Sequence, residues 1–151
     1  MASSVFLRPA SDPDLDEFFI HSRDRSPASP EDHSAFIARW RKYLDDSSFT
    51  IRTITVAEQV VGYIGHFTRD GVPEVSYELG PKYWGNGYAT SALRSFVAEI
   101  KSRPLYARVV KDNTRSIRVL QKCGYSAVGE DRFSSGERGE AEEFIFALNG
   151  E

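Results

Sequence analysis

A Gly-x-Gly turn between a predicted strand and a predicted helix constrains the fold of this chain more than any other segment. Gly85-Asn86-Gly87 follows the strand-like residues 75–79. Apolar side chains at helical spacing come after it, at Ala89, Leu93, Phe96, Val97 and Ile100. Glycine has no Cβ, so such a turn leaves successive N–H groups open at the positive end of a helix dipole. The segment is typical of a site for phosphate oxygens, although a plain tight turn would explain the same two glycines.

The familiar nucleotide motifs do not fit this turn. The Rossmann fingerprint needs a third glycine three residues after the second, and Thr90 occupies that position. A P-loop needs Gly-Lys-Ser or Gly-Lys-Thr after four intervening residues, and the sequence has no such run. The turn therefore indicates a phosphorylated ligand that is neither a dinucleotide nor an ATP held in the usual way. A nucleotide-binding module is kept as an alternative.

Length and charge indicate one ordinary globular domain over residues 1–151. The net charge of −3 disfavours nucleic acid as the main partner, because binding to a phosphate backbone needs a basic face. The single cysteine, Cys123, excludes an internal disulfide, and His21, His33 and His66 lack the i, i+4 spacing of a helical metal site. No apolar stretch approaches the roughly 18 residues of a membrane span. We expect a cytoplasmic protein, monomeric or homodimeric, that binds neither metal nor membrane.

Hydrophobic periodicity predicts the elements and their order. Strands are expected at residues 5–8, 49–56, 60–68, 74–79, 105–110, 125–133 and 141–148. The first helix is expected to begin with Asp12 as its cap, and the second at residues 29–32. The third should run from the glycine turn to Arg103-Pro104, and the fourth from residue 116 to 123, ending at Gly124. The order β-α-α-β-β-β-α-β-α-β-β predicts a mixed α/β domain (α+β) with about seven, mostly antiparallel strands.

Two separated segments together resemble one family. Residues 82–89, Lys-Tyr-Trp-Gly-Asn-Gly-Tyr-Ala, resemble the acetyl-CoA pyrophosphate loop of the GNAT N-acetyltransferase superfamily, usually written Q/R-x-x-G-x-G/A. The residues from Asn113 to Tyr125 look like the second cofactor segment of that family, an Asn followed by a helix that ends in Gly-Phe or Gly-Tyr. The runs Tyr-Trp-Gly-x-Gly-Tyr-Ala and Asn-x-x-Ser are more like the branch that contains the ribosomal-protein N-terminal acetyltransferases than like the histone enzymes. The resemblance implies a GNAT fold and acetyl-CoA-dependent transfer to a primary amine, on a protein N-terminus or a small molecule.

The resemblance also implies which residues hold acetyl-CoA. Backbone groups of Leu79 and Gly80 would meet the pantetheine arm and polarise the thioester carbonyl. The amides of the turn would hold the pyrophosphate, with a cation from Lys82 beside them. This turn comprises Gly85, Asn86, Gly87, Tyr88, Ala89 and Thr90. Asn113 would contact the arm from the other side, and a plain helix N-cap is an equal reading of the same residue.

The chemical step requires a base near the cofactor loop, because an amine acceptor must lose a proton. Glu78 and Glu74 share one face of their strand with Ser76, and Tyr77 takes the opposite face. We expect Glu78 to be the base, with Glu74 second; either could instead be a solvated edge carboxylate.

The group that assists the leaving thiol is less evident from the sequence. Many members of the family carry a tyrosine four residues before the helix-ending glycine, and Leu120 stands there. Ser116 could contact the sulfur instead, or could bond only to its local backbone. Leu120 therefore keeps a second function open, that of a non-catalytic acyl-CoA-binding or regulatory domain.

Overall fold

A seven-stranded sheet forms the centre of the computed structural model, which describes residues 4–27, 31–134 and 140–150. The spatial order of its strands is β1-β2-β3-β4-β5-β7-β6. Neighbouring strands are antiparallel except β4 and β5, which are parallel. The strands are β1 (Val5–Pro9), β2 (Thr50–Val56), β3 (Gln59–Arg69), β4 (Val72–Leu79), β5 (Leu105–Val110), β6 (Ser126–Ser134) and β7 (Glu140–Leu148).

Four α-helices connect these strands in the order that the sequence predicts. They are α1 (Leu15–Arg25), α2 (His33–Asp45), α3 (Tyr88–Glu99) and α4 (Thr114–Lys122). Short 3-10 turns at Asp12–Asp14 and Pro81–Tyr83 precede α1 and α3. The predicted fold class and element order are therefore confirmed. None of the helices in the described ranges is long and apolar enough to cross a membrane.

The two pairs of helices cover opposite faces of the sheet. Tyr63 of β3 packs on the cluster formed by α1 and α2, whereas its neighbour Ile64 lies in the larger cluster beneath α3 and α4. Adjacent residues of a strand point to opposite faces, so the two clusters lie on different sides. The larger cluster contains Leu93, Phe96 and Leu120, each at most 1% exposed. The smaller one is built on Leu15, Phe18, Phe36 and Trp40.

Several helix boundaries differ from those that the sequence predicts. Asp12 does not cap the first helix, because the carboxylate of Asp14 accepts the Ser11 N–H at 3.1 Å and Asp12 pairs with Arg41 instead. The first turn is thus closed from Ser11, and α1 begins only at Leu15. The second helix is capped by Asp32, as its carboxylate accepts the Ala35 N–H at 3.1 Å.

The third helix ends at Glu99, earlier than the predicted Arg103-Pro104. Arg103 folds back and donates to the carbonyls of Val97 and Ile100, at 3.0 and 2.7 Å, which satisfies the helix end before the proline is reached. The fourth helix stops as predicted, with Gly124 at φ 90°. Residues 28–30 and 135–139, within the predicted second helix start and the loop at 134–140, lie outside the described residues.

A buried carboxylate ties the first turn of the chain to the sheet. Asp14 is 5% exposed and receives both guanidinium nitrogens of Arg8 at 2.8 Å and the hydroxyl of Thr53 at 2.7 Å. Burial by itself would raise the pKa of Asp14, but the hydrogen bonds from Arg8, Thr53 and Ser11 outweigh it and hold the pKa below its usual range. The ionised carboxylate therefore stabilises the folded state.

We predict that Asp14→Ala lowers the free energy of unfolding by about 2–3 kcal/mol, because the buried Thr53 hydroxyl loses its acceptor. Since the folded pKa lies below the unfolded value near ~3.9, this stabilisation is present above about pH 4 and is lost as the pH falls through the folded pKa. Denaturant unfolding from about pH 7 down to pH 3 measures both effects. Asp12→Ala, which breaks only the exposed pair with Arg41, is the matched control and should leave the free energy of unfolding nearly unchanged. Equal losses for the two variants would contradict the prediction.

Candidate functional site

The site is built on the divergence of β4 and β5. These parallel strands are paired at Glu74 and Tyr106, and beyond that point they separate. The Gly80 N–H donates to the Val61 carbonyl at 3.0 Å, so the N–H groups at this end of β4 that face β3 are used within the sheet. Peptide groups alternate in direction along a strand, and therefore the Leu79 N–H points away from β3, into the gap. Of the two amides predicted to polarise a carbonyl, that of Leu79 is the one directed into the gap.

A cleft of about 480 Å³ passes through this gap. From β4 and α1 it is lined by Tyr77, Glu78, Leu79 and Arg25; from the glycine loop and α3 by Tyr83, Trp84, Gly85, Gly87, Tyr88, Ala89 and Thr90; and from α4 and its cap by Asn113, Thr114, Arg115, Ser116, Arg118, Val119 and Lys122. Most of the predicted site residues thus line one cleft. Glu74, Gly80, Lys82 and Asn86 do not line it.

The glycine loop, which joins the Pro81–Tyr83 turn to α3, is stabilised by one of its own side chains. Gly85 and Gly87 have φ of 83° and 78°, left-handed conformations that glycine adopts without strain. The side-chain amide of Asn86 donates to the carbonyls of Tyr83 and Trp84, at 3.1 and 3.3 Å, which explains why Asn86 braces the loop and does not line the cleft. No side chain caps α3 at Gly87. The first amides of a helix have no intrahelical partner, so those of α3 are left for a ligand.

Three cations of α4 line the cleft beside the glycine loop, and the sequence analysis missed them. Arg115, Arg118 and Lys122 all line the cleft. Their spacing of three and seven residues places them on one helical face, and this was the signal available in the sequence. The Arg115 guanidinium lies 3.4 Å from the centre of the Trp84 ring, and the Trp84 indole donates to the Leu79 carbonyl at 3.2 Å. Trp84 therefore connects β4 to α4 across the loop.

Lys82, the cation that the sequence suggested, is exposed, and its ammonium lies 5.2 Å from the centre of the Tyr83 ring. Asn113 is the N-cap of α4, since its side-chain oxygen accepts the Ser116 N–H at 3.1 Å. That bond occupies the side-chain oxygen, and Asn113 also lines the cleft. The cap reading of Asn113 is thus confirmed, and a contact from its amide nitrogen to the cofactor stays a prediction.

The two predicted bases differ in position. The Glu78 carboxylate lies in the cleft, with its side chain 14% exposed and 3.2 Å from the Arg25 guanidinium. Burial raises the pKa of Glu78, against the opposing effect of Arg25 and Arg39. Glu74 is 5% exposed and is paired with Arg69 and Arg108 at 3.2 and 3.7 Å. Four residues of strand, roughly 13 Å, separate it from Glu78, so Glu78 is the better-placed base.

Two hydroxyl groups meet on the other side of the cleft. The Tyr77 hydroxyl lies 2.8 Å from the Ser116 hydroxyl, and both residues line the cleft. Leu120, by contrast, is 1% exposed within the core and has no proton to donate. Burial raises the pKa of the Cys123 thiol, whose sulfur lies 3.5 Å from the Thr90 carbonyl, as expected of an inert cysteine. Sequence reasoning treated Tyr77 only as a residue of the opposite strand face.

A buried histidine supports the end of β4. His21 of α1 is 3% exposed, and its ring nitrogens have no hydrogen-bond partner among the described residues. Burial lowers the pKa of His21, and therefore the ring is neutral near pH 7. A Cβ at Gly80 would lie 2.5 Å from the His21 Cδ2 atom. Glycine is thus required at position 80 by this close approach, since its φ of −60° suits any residue.

We predict that Gly80→Ala lowers the free energy of unfolding by about 1–3 kcal/mol and weakens CoA binding, because the added methyl must displace either His21 or the end of β4. Denaturant unfolding and calorimetric titration with CoA measure the two effects. Combining the change with His21→Ala in a double-mutant cycle should recover part of the loss. Gly65→Ala is the control, because a Cβ there meets Ile51 only at an ordinary 3.5 Å. An additive cycle would show that His21 is not the obstacle.

Comparison with known proteins identifies the family. The family described as "Acetyltransferase (GNAT) domain" matches residues 4–126. The chain therefore belongs to the GNAT acetyltransferases, and the predicted enzyme class and co-substrate, an acetyltransferase that uses acetyl-CoA, agree with this family.

A curated protein with a similar sequence is also described as an N-acetyltransferase. An uncharacterized N-acetyltransferase, p20, from Bacillus licheniformis is 28% identical over 79 residues. That alignment covers 48% of this chain and 44% of p20, so the chain spans less than half of this curated relative.

Solved structures show the same fold at low sequence identity. The microcin C7 self-immunity acetyltransferase MccE, in complex with acetyl-CoA and AMP, has a TM-score of 0.82 at 14% identity, covering 97% of this chain and 92% of MccE. A spermidine N-acetyltransferase SpeG chimera from Vibrio cholerae and hSSAT has a TM-score of 0.79 at 15% identity, with coverage of 97% and 96%. Neither the family match nor these structures single out the ribosomal-protein branch.

The residues of the cleft fit acetyl-CoA. Uncapped amides at the start of α3 and three cations on α4 suit its diphosphate, and the open edge of β4 at Leu79 suits an extended amide-containing arm. Within the described ranges, no group of His, Cys, Asp and Glu side chains could hold a metal ion.

Proposed function

We propose that this chain transfers the acetyl group of acetyl-CoA directly to a primary amine, with Glu78 as the base. The observation that supports this proposal is one cleft lined by the largely buried Glu78 carboxylate and by the uncapped start of α3 with the cations of α4. The carboxylate lies on the face of β4 that α1 and α2 cover, and the phosphate groups lie on the α3 and α4 side. Donor and acceptor would therefore enter from opposite faces of the sheet and meet in the gap between β4 and β5.

The donor side is proposed to work by charge and hydrogen bonding. The first amides of α3, together with Arg115, Arg118 and Lys122, would bind the diphosphate. Asn113 would donate to the pantetheine arm. The Leu79 N–H would donate to the thioester carbonyl oxygen, where negative charge develops during the reaction. Bound acetyl-CoA supplies an activated acetyl group, and these residues hold that group in the gap.

The acceptor side is proposed to remove one proton. The amine nitrogen forms a bond to the acetyl carbonyl carbon, the carbon–sulfur bond breaks, and its electron pair leaves with sulfur. The proton displaced from nitrogen passes to the Glu78 carboxylate, directly or through a water, and from there to solvent. Burial raises the pKa of Glu78 and makes it a stronger base than an exposed glutamate, while the neighbouring Arg25 guanidinium favours its ionised form.

The proposed acceptor is either a protein N-terminus or a small-molecule amine. The likeness of residues 82–89 to the ribosomal-protein branch supports the first, and the similarity to a spermidine N-acetyltransferase supports the second. An α-amine has a pKa near ~7.7–8.0 and a lysine-type amine near ~10.4, so both need a base at neutral pH. Release of free thiol from acetyl-CoA should be measured with short peptides, polyamines, amino acids and aminoglycosides.

A second candidate function, a non-catalytic acyl-CoA-binding domain, is favoured by Leu120, which is buried where the family tyrosine would stand. The thiol-release assay separates the two functions. Saturable amine-dependent release supports the transferase. Tight CoA binding without release for every amine supports the binding domain.

We predict that Glu78→Gln lowers kcat by about 10²- to 10⁴-fold and removes the acidic limb of the rate–pH profile, because the amide accepts no proton at any working pH. Steady-state rates between about pH 5 and 9 measure this, with CoA affinity as a check that the cleft is intact. Glu74→Gln removes the other predicted base. A larger loss of kcat in that variant than in Glu78→Gln would move the role of base to Glu74.

We predict that Arg25→Ala shifts the acidic limb of the kcat profile to higher pH. Arg25 lowers the pKa of Glu78, so its removal raises that pKa and the carboxylate becomes ionised only at higher pH. The rate at low pH should fall, while the rate at the plateau changes little. Arg23→Ala is the control, because Arg23 pairs with Asp24 on the exposed surface of α1. An acidic limb at the same pH in Arg25→Ala and in the unaltered protein would show that Arg25 does not lower the pKa of Glu78.

A further inference from the structure

We propose that Tyr77 donates a hydrogen bond to the sulfur that leaves, and that Ser116 positions the Tyr77 phenol for this task. This inference rests on the proposed function, because it assigns a further residue to the same reaction. It supplies the group that Leu120 lacks, from a different element of the fold.

The position of Tyr77 on β4 supports this role. Tyr77 and Glu78 are adjacent in the strand and point to opposite faces, yet both line the cleft because the cleft passes through the gap beside them. Glu78 lies on the side from which the amine arrives. Tyr77 lies on the side of α4, where the phosphate-binding cations are. A thioester held in the gap would thus have its nitrogen partner near Glu78 and its sulfur near Tyr77.

The partners of Tyr77 support the same role. The Ser116 hydroxyl is 2.8 Å from the Tyr77 hydroxyl, and the Tyr77 hydroxyl donates to the Ser116 carbonyl oxygen at 3.3 Å. When the Ser116 hydroxyl donates to the Tyr77 oxygen, the phenolic proton can turn from the Ser116 carbonyl, a long bond for an O–H donor, to a sulfur in the cleft. Ser116 is itself held by its N–H bond to Asn113 at the start of α4. The predicted contact of Ser116 with sulfur would then be made through Tyr77.

The acidities decide between a hydrogen bond and a proton transfer. Burial raises the pKa of Tyr77 to about 12, while the Ser116 hydrogen bond opposes the shift. A thiol has a pKa near ~8.5, so moving the phenolic proton to the sulfur would be unfavourable by about three orders of magnitude. Tyr77 therefore remains a neutral phenol that stabilises the thiolate by a charge-assisted hydrogen bond. The thiolate takes its proton from water after it leaves.

The direct test is the acidity of the thiol in bound CoA, which requires no acceptor amine. Thiolate formation is followed by ultraviolet absorbance in a pH titration of the CoA complex. The complex with desulfo-CoA, which lacks the sulfur, serves as the reference and cancels the signals of Cys123 and the tyrosines. We expect Tyr77→Phe to raise the thiol pKa by about 1 unit, because the thiolate loses its donor. Ser116→Ala should raise it by less, since the phenol remains.

Tyr125→Phe is the matched control. Its hydroxyl is buried without a hydrogen-bond partner among the described residues, and Tyr125 does not line the cleft. This variant should leave the thiol pKa and the affinity for CoA unchanged. The same thiol pKa in Tyr77→Phe and in the unaltered protein, at equal CoA affinity, would overturn the proposal.

Turnover gives a second measurement. With a working acceptor amine, Tyr77→Phe should lower kcat by about 10- to 100-fold and leave KM for acetyl-CoA near its original value, at the low end of such effects because a thiolate is already a fair leaving group. A shifted thiol pKa in a protein that never releases thiol would keep the role of Tyr77 as sulfur ligand and refute the transferase. Normal turnover with an unshifted thiol pKa would keep the transferase and refute Tyr77.

Discussion

The separation of two parallel strands is the constraint on which the rest of this structure depends. β4 and β5 are paired at Glu74 and Tyr106, and the sheet opens beyond that point. Unpaired peptide groups in a folded interior are unfavourable, so an open edge persists only where something else can satisfy it. Here the edge at Leu79 faces a cleft, and the Trp84 indole N–H already donates a hydrogen bond to the Leu79 carbonyl. The gap leaves main-chain hydrogen-bonding groups exposed where an extended ligand can pair with them.

Because side chains alternate along β4, the two faces of this strand carry different chemical groups beside the gap. The phenol of Tyr77 lies on the α4 side, and the carboxylate of the next residue, Glu78, lies on the α1 side. Because the gap lies beside them, both side chains line the same cleft from opposite faces of the sheet. A strand paired along both edges could not do this, since its neighbouring strands would separate the two groups. The opening in the sheet thus places a phenol and a carboxylate on the walls of one cleft.

Periodicity and turn chemistry sufficed for the fold and for the loop. Alternating β-branched runs, glycines at the loop and an Asn cap on α4 are local signals, and the structure follows them closely. Long-range contacts were not readable in the same way. The hydrogen bonds of Thr53 to Asp14 and between Tyr77 and Ser116 each join residues 39 positions apart, which only the fold brings together. The bond from Arg103 to Val97 spans only six residues, but it depends on the chain turning back after α3. The spacing of Arg115, Arg118 and Lys122 predicts that they share one face of α4. That this face lines the cleft became evident only from the position of the helix in the fold.

The two hydrophobic clusters lie on different sides of the sheet, and this has a consequence for how such a protein can diversify. The cluster of α1 and α2 rests on Leu15, Phe18, Phe36 and Trp40, and it shares none of these side chains with the cluster beneath α3 and α4. Mutations that reshape one layer therefore need not loosen the other. Under the function proposed above, substitutions in α1 and α2 could change the acceptor preference while the layer proposed to hold the thioester stays unchanged. New acceptor preferences could then evolve in two helices without an intermediate stage that has lost the binding of the acetyl donor.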